Sequence, residues 1–308
     1  MAHHGGRGRR GPADARRALR REAPSTVAVV ADPAGFAAMR RYTTFAFHDH
    51  PHYLRQTEGL LRSLTAQGIH TRVGLFDPGD YERFCAQERI DPDTRDSRAR
   101  YVAEIAATGA TVRYRGQPLG RLLPLLLAGW ERQDVWERAT DLLTGLGACA
   151  DCGKDLGQEA LDDAAGILAR LAAAAGPGTH HLVCSVSGET GPLVAVLHTG
   201  RTPHHRPGTD AAGELVFRTV LAAGLAAGRP GGVVMRTTRD GREEVRGWSL
   251  GDGRLRPLTE AEVFSAYCTD TRTGEPVPPE PGLTYSAGFP LPGHGTGERR
   301  HERREDGH

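Results

Sequence analysis

The chain has 308 residues, enough for one large domain or, the expectation here, for two ordinary ones. A formal net charge of +1 gives no global attraction to nucleic acid or anionic lipid, and 6% aromatic residues without basic–aromatic interleaving argue against a nucleic-acid platform. The greasiest run, Leu122-Leu123-Pro124-Leu125-Leu126-Leu127, is far shorter than the roughly 20 residues a membrane-spanning helix needs.

Arginine replaces lysine almost everywhere, Lys154 being the single lysine among 39 basic residues, and asparagine is missing. With abundant Ala, Gly and Pro this points to a GC-rich coding genome such as an actinobacterium's. The five cysteines are an odd, scattered set with no secretory apolar region ahead of them, so the expected location is a reduced cytoplasm.

Residues 1–24, with Arg7, Arg9, Arg10, Arg16, Arg17, Arg20 and Arg21 among Gly, Ala and His, lack an apolar stripe and are expected to be a disordered basic arm. From 25 to 147 strands and helices alternate. Short apolar runs at Thr26–Ala31, Thr43–Phe47, Thr71–Phe76 and Thr111–Arg115 predict four strands. The clearest helix runs from Tyr53 to Gln67, with Leu54, Leu60, Leu61 and Leu64 on one face, and a long helical region, Leu122–Leu146, closes this half. Strands alternating with helices predict an α/β domain with a Rossmann-like, mostly parallel sheet covered on both faces.

Residues 148–292 follow a different rhythm. A helix over Gln158–Ala172 leads to strands His181–Val186 and Leu193–His198, then a helix over Ala211–Ala227 and strands near Val233–Thr237 and Glu244–Leu250. Asp240-Gly241 and Gly251-Asp252-Gly253 suit tight hairpins, because glycine accepts positive φ. A helix at Thr259–Tyr267 opens on a Thr259 cap. This is a smaller α+β domain whose element order resembles profilin-like and roadblock-like modules. The resemblance concerns order alone over about 110 residues, and implies a small ligand-binding or dimerising module. The charged stretch 293–308 is expected to be a disordered tail.

Two clusters carry candidate chemistry. His48-Asp49-His50-Pro51-His52 sits where the second predicted strand meets the best helix, at the strand end where open α/β sheets bind ligands. His48 and His50 share a face of an extended segment, and Asp32 and Asp77, each ending a predicted strand before a proline, are the carboxylates that would complete a metal site with them. Mg²⁺, Mn²⁺ or Zn²⁺ held there suits attack of water on a phosphoester, with Asp49, His50 or His52 moving the proton. The same residues have a purely structural reading, with Asp as helix cap and Pro in the first turn.

Cys149-Ala-Asp-Cys152-Gly-Lys154 has the spacing of half a zinc knuckle. Its missing ligands would be His180 or His181 with Cys184, or come from a symmetry-related chain. Cys184 alternates with Leu182 and Val186, however, which favours a buried thiol. His198, His204 and His205 border a Gly/Pro-rich loop and have the character of exposed loop histidines. Walker, dinucleotide-binding and nucleophile-elbow motifs are missing.

The sequence therefore leads to a cytoplasmic regulatory or accessory protein that binds a small ligand or a protein partner, a homo-oligomer among them, with zinc or another divalent metal as cofactor. The alternative is a metal-dependent hydrolase acting on a phosphorylated or nucleotide-like substrate.

Overall fold

The structure is a computed structural model that describes residues 25–150, 153–200, 211–270 and 273–291. The basic arm, Cys152, His204, His205 and the charged tail lie outside the described residues. The class is mixed α/β, and the chain divides into two compact units, Met1–Gln133 and Asp134–His308.

In the first unit β1 (Ser25–Val29) lies parallel to β2 (Thr71–Leu75), with Val27 opposite Val73, and β3 (Thr111–Arg113) runs antiparallel to β2. The sheet is three-stranded and mixed, in place of the four-stranded, mostly parallel Rossmann-like sheet predicted. Two physical causes account for the difference. The Thr43–Phe47 segment joins no ladder, because the backbone N–H groups of Thr43 and Thr44 both donate to the Asp93 carboxylate at 2.9 Å, and both threonine hydroxyls do the same. Arg98 then holds Thr44 through its hydroxyl and carbonyl oxygens. Phe45 and Phe47 turn instead into a ring cluster with Tyr53.

The second cause is the pair of helices, α3 (Pro78–Glu88) and α4 (Arg95–Thr108), that separates β2 from β3. α4 delivers the chain beside the carboxyl half of β2, where Ile105 lies against Gly74, and β3 starts there with Thr111 opposite Gly74. The strand can only run back.

Helices α1 (Pro33–Met39) and α2 (His50–Ala66) follow β1. The core of this unit is rich in rings: Phe36, Tyr53, Phe76, Tyr81 and Tyr101 are buried with Leu61. Helix α5 (Leu119–Thr144) adds Leu122 and Leu126 to this core, while its later residues Ala139 and Leu143 belong to the core of the second unit.

The second unit continues with α6 (Leu156–Ala175), β4 (Thr179–Val186), β5 (Leu193–Thr199), α7 (Ala211–Ala226), β6 (Gly231–Arg239), β7 (Arg242–Gly251), β8 (Arg254–Pro257), α8 (Glu260–Tyr267) and β9 (Leu283–Tyr285). The sheet order is β5-β4-β6-β7-β8, all antiparallel, and β9 pairs parallel with the first residues of β7. Both expected glycine turns are present, with Asp240, Gly241, Asp252 and Gly253 all at positive φ. Along β4 the side chains of His180, Leu182, Cys184 and Val186 are buried and their neighbours half-buried, the period-2 pattern of a sheet with one closed face.

α7 comes unusually near that closed face because Gly224 carries no side chain. A Cβ there would lie 2.5 Å from Leu250 Cδ2 and 2.7 Å from Val186 Cγ2. Overpacking of this kind costs about 1–3 kcal/mol, so Gly224→Val is expected to lower unfolding free energy by that amount in urea denaturation. Gly59, in mid-α2 with open space around it, provides the contrast: Gly59→Ala is expected to raise stability by about 0.5–1 kcal/mol.

The Thr43–Thr44–Asp93 node also predicts a pH dependence. Hydrogen bonds from the Thr43 hydroxyl and then the Thr44 and Thr43 amides hold the Asp93 carboxyl well below its ordinary value of 3.8. A depressed carboxylate contributes stability that is complete above its unfolded value and is lost as pH falls through its folded value. Asp93→Asn is therefore expected to be less stable than wild type at neutral pH. Thermal unfolding at decreasing pH should show that gap narrowing below about 3.8.

Candidate functional site

The strand ends of the first unit come first, since the sequence places most candidates there. β1 and β2 are parallel, so Asp32 and Asp77 leave the sheet at the same end. Each caps a helix. Asp32 accepts the Ala34 and Gly35 N–H groups at 2.9 and 2.8 Å, Asp77 accepts that of Asp80 at 2.8 Å, and Asp49 accepts that of His52 at 2.7 Å. Each helix has proline in its first two positions. This is the arrangement that satisfies orphan N–H groups at a helix start.

His50 is half-buried, and its Nε2 lies 3.0 Å from the carbonyl oxygen of Val30, just past β1. A carbonyl only accepts, so Nε2 carries the proton and donates it. The ring lies beside Phe36 and Tyr53, and the Tyr53 hydroxyl accepts the Val30 N–H at 3.1 Å. His50 and Tyr53 thus fasten both polar groups of Val30. His52 Nε2 accepts from Gln56 at 2.7 Å, and His48 is exposed. The structure thus uses Asp32, Asp49, Asp77 and His50 as fastenings of the backbone. Among the described residues no group of three or more His, Cys, Asp or Glu side chains could hold a metal ion.

Cys149 sits half-exposed in a turn whose N–H donates to Lys154 O and whose carbonyl accepts from Gly153 N–H, both at 2.8 Å. Its partner in the knuckle reading, Cys152, lies outside the described residues. Of the groups proposed to complete that site, His180 and Cys184 share the buried face of β4, with both His180 ring nitrogens bonded to Thr237 and Gly176, and His181 diverges from them. Cys184 faces the core, and burial pushes its thiol up to about 12. His181 is on the opposite face of β4, its ring stacked 4.0 Å from that of His198.

The second unit holds a cavity that the sequence does not announce. It lies at the β6–β7 hairpin end, has a volume of about 530 Å³, and is lined by Thr237, Arg239, Asp240, Arg242, Glu244 and Thr284 among others. Strand register builds its floor: Thr237 pairs with Glu244, and Glu244 with Thr284 of β9. Beside Thr237, across the β4–β6 ladder, lies buried His180, with Nε2 3.0 Å from Gly176 O and Nδ1 3.0 Å from Thr237 Oγ1. The Gly176 carbonyl requires the proton on Nε2, so Nδ1 accepts and the Thr237 hydroxyl donates. His180 therefore sets the rotamer of a hydroxyl on the cavity wall.

Most charges around the cavity are held in place. Arg239 donates to the Ala175 and Pro177 carbonyls at 2.7 Å, bracing the end of α6. Glu243 is paired with Arg236, which holds its carboxyl below the ordinary range, and Arg236 also meets Glu280. Glu244 meets Arg246 at 2.7 Å. Arg242 and Asp240, by contrast, make no ion pair among the described residues. The wall thus offers both signs of charge and one oriented hydroxyl, that of Thr237, which suits a small polar ligand carrying both signs. The mixed-charge run Arg239-Asp240-Gly241-Arg242-Glu243-Glu244 astride a two-residue turn was the available sequence signal.

Residues 14–117 match the model of a family described as "Domain of unknown function (DUF8829)", so about a third of the chain is similar to that family. The match ends before α5 and takes in all three strands of the first sheet. No curated protein and no solved structure matches the chain.

The fastening role of His50 has a measurable consequence. Removing the donor leaves the buried Val30 carbonyl unsatisfied, at a cost of about 1–3 kcal/mol. His50→Ala is expected to lose that much stability in chemical denaturation, and His48→Ala, which removes an exposed ring, to stay within about 0.5 kcal/mol of wild type.

Proposed function

We propose that the protein is a cytoplasmic regulatory or accessory protein that binds a small zwitterionic ligand in the cavity of its second unit. The observation that carries this is the pair Arg242 and Asp240, two opposite charges beside one cavity with no ion-pair partner among the described residues. A volume of about 530 Å³ lies within the range of small-molecule sites. The ligand's anionic group would meet Arg242, its ammonium Asp240 and Glu244, and its hydrogen-bonding centre the hydroxyls of Thr237 and Thr284. The profilin-like and roadblock-like element order of this unit supports a binding module, and among the described residues no helix is long and apolar enough to cross a membrane.

The metal-dependent hydrolase reading has less behind it, because Asp32, Asp49 and Asp77 serve as caps and His50 Nε2 serves Val30. The Rossmann-like reading of the first sheet has only its single parallel pair behind it. A structural zinc at Cys149 and Cys152 stays within the proposal, and metal content of wild type against Cys149→Ser tests it separately.

Isothermal titration of the full chain with free α-amino acids, against acetate and ethylamine as single-charge controls, tests the main reading. Zwitterions are expected to bind and the controls to bind at least about tenfold more weakly. Arg242→Ala and Thr237→Val are each expected to weaken binding by about tenfold, a loss of roughly 1.4 kcal/mol, while His50→Ala leaves it unchanged. Equal responses to zwitterions and controls, or binding indifferent to Arg242→Ala, would remove the cavity from the account.

A further inference from the structure

Two histidines stand directly opposite each other on the open face of the second sheet. His181 of β4 pairs with His198 of β5, and their rings are stacked with centroids 4.0 Å apart and planes 23° from parallel. His181 is half-buried and His198 exposed. Side chains directly opposed in an antiparallel pair share a face and lie within reach of one another, so the ladder itself holds the rings in contact. Among the described residues neither ring makes a hydrogen bond or an ion pair.

The charge nearest the stack is positive. Arg236 of β6 opposes His181 across the other ladder, and it is tied to Glu243 and to Glu280, so both carboxylates on that side are engaged. Along the open face the rings are followed by Val183 and Val196, which carry no charge. Helix α7 packs on the closed face, against Leu193, Ala195 and Leu197 of β5, and does not reach the rings. β5 itself is an edge strand, paired only with β4 among the described residues. The stack therefore sits where one strand end can leave the sheet without breaking a second ladder.

We infer that the His181–His198 stack is a proton-operated latch on β5: with both rings neutral it holds the His198 end of the strand on β4, and with both rings protonated it lets that end open. A first proton leaves a neutral ring beside the charge. A second sets two like charges face to face in a half-buried pair, next to Arg236 and with no carboxylate free to offset them. The direction of the response follows from His181. Burial, then the neighbouring His198, then Arg236 hold its ring below the ordinary value of 6.5. A base whose folded value is depressed contributes stability that is complete above its unfolded value and is lost as pH falls through its folded value. The latch is thus closed at neutral pH and opens as pH falls below 6.5.

Amide hydrogen exchange of the full chain at about pH 7.5 and about pH 5.5, corrected for the intrinsic rate, tests the latch without reference to any ligand. Wild type is expected to lose about tenfold or more of its protection over β5 on acidification, while β7 keeps its own. His181→Phe/His198→Phe keeps two rings at the pair and removes both titrating groups, and is expected to hold β5 equally at both pH values. Because the phenylalanines could disturb folding, a second measurement is needed: proton NMR titration of the imidazoles should show His181 taking up its proton at higher pH in His198→Gln than in wild type. Equal loss of protection in wild type and the double phenylalanine variant would place the trigger on another group and overturn the latch. So would a wild-type β5 unchanged by acid, or a His181 titration indifferent to His198→Gln.

Discussion

A helix that begins directly after a strand turns unsatisfied N–H groups toward the strand's end, and something must accept them. In the first unit that constraint takes up the carboxylates that would otherwise look catalytic. Asp32, Asp49 and Asp77 each close a helix, each with proline beside them to hold the first turn open, and His50 closes the remaining carbonyl of Val30. The end of a parallel strand pair is where open sheets bind ligands, yet here the polar groups at that end are occupied with one another.

The elements with a strong local period were legible in the chain. α2, α6, α7 and the β4–β5 and β6–β7 hairpins follow from apolar spacing and from glycine in the turns, because those signals act between residues close in sequence. Thr43–Phe47 carries the β-branched and aromatic content of a strand just as plainly. What decides its fate is a carboxylate 50 residues away, since Asp93 takes up the very N–H groups a ladder would need. The direction of β3 was hidden for a similar reason: its alternation is the same in either orientation, and only the exit of α4 beside Gly74 sets it.

The candidate sites show the same limit more sharply. Residue types at the histidine cluster were suggestive, but hydrogen-bond direction gives them their role, and that depends on Val30, Gln56 and Tyr53 standing where they do. The cavity was harder still to foresee. Thr237, Glu244 and Thr284 are unremarkable alone, and they become a row only because β9 returns to pair with β7 about 40 residues later. Of its lining, only the charge run around Asp240-Gly241 was visible locally.

The first unit spends its polar groups on its own backbone, and the family match that covers its strands stops before α5. The second keeps Arg242 and Asp240 without ion-pair partners beside a cavity, and keeps β5 unpaired at the other side of the sheet among the described residues. Leaving charges and backbone groups uncompensated costs stability unless water or another molecule takes them up. The neighbouring structure could have quenched them: β8 shows that this sheet can guard an edge with arginine and proline, and Glu243 and Arg236 show that it can pair its charges. Arg242 and Asp240 are the groups on which the proposed binding reading rests.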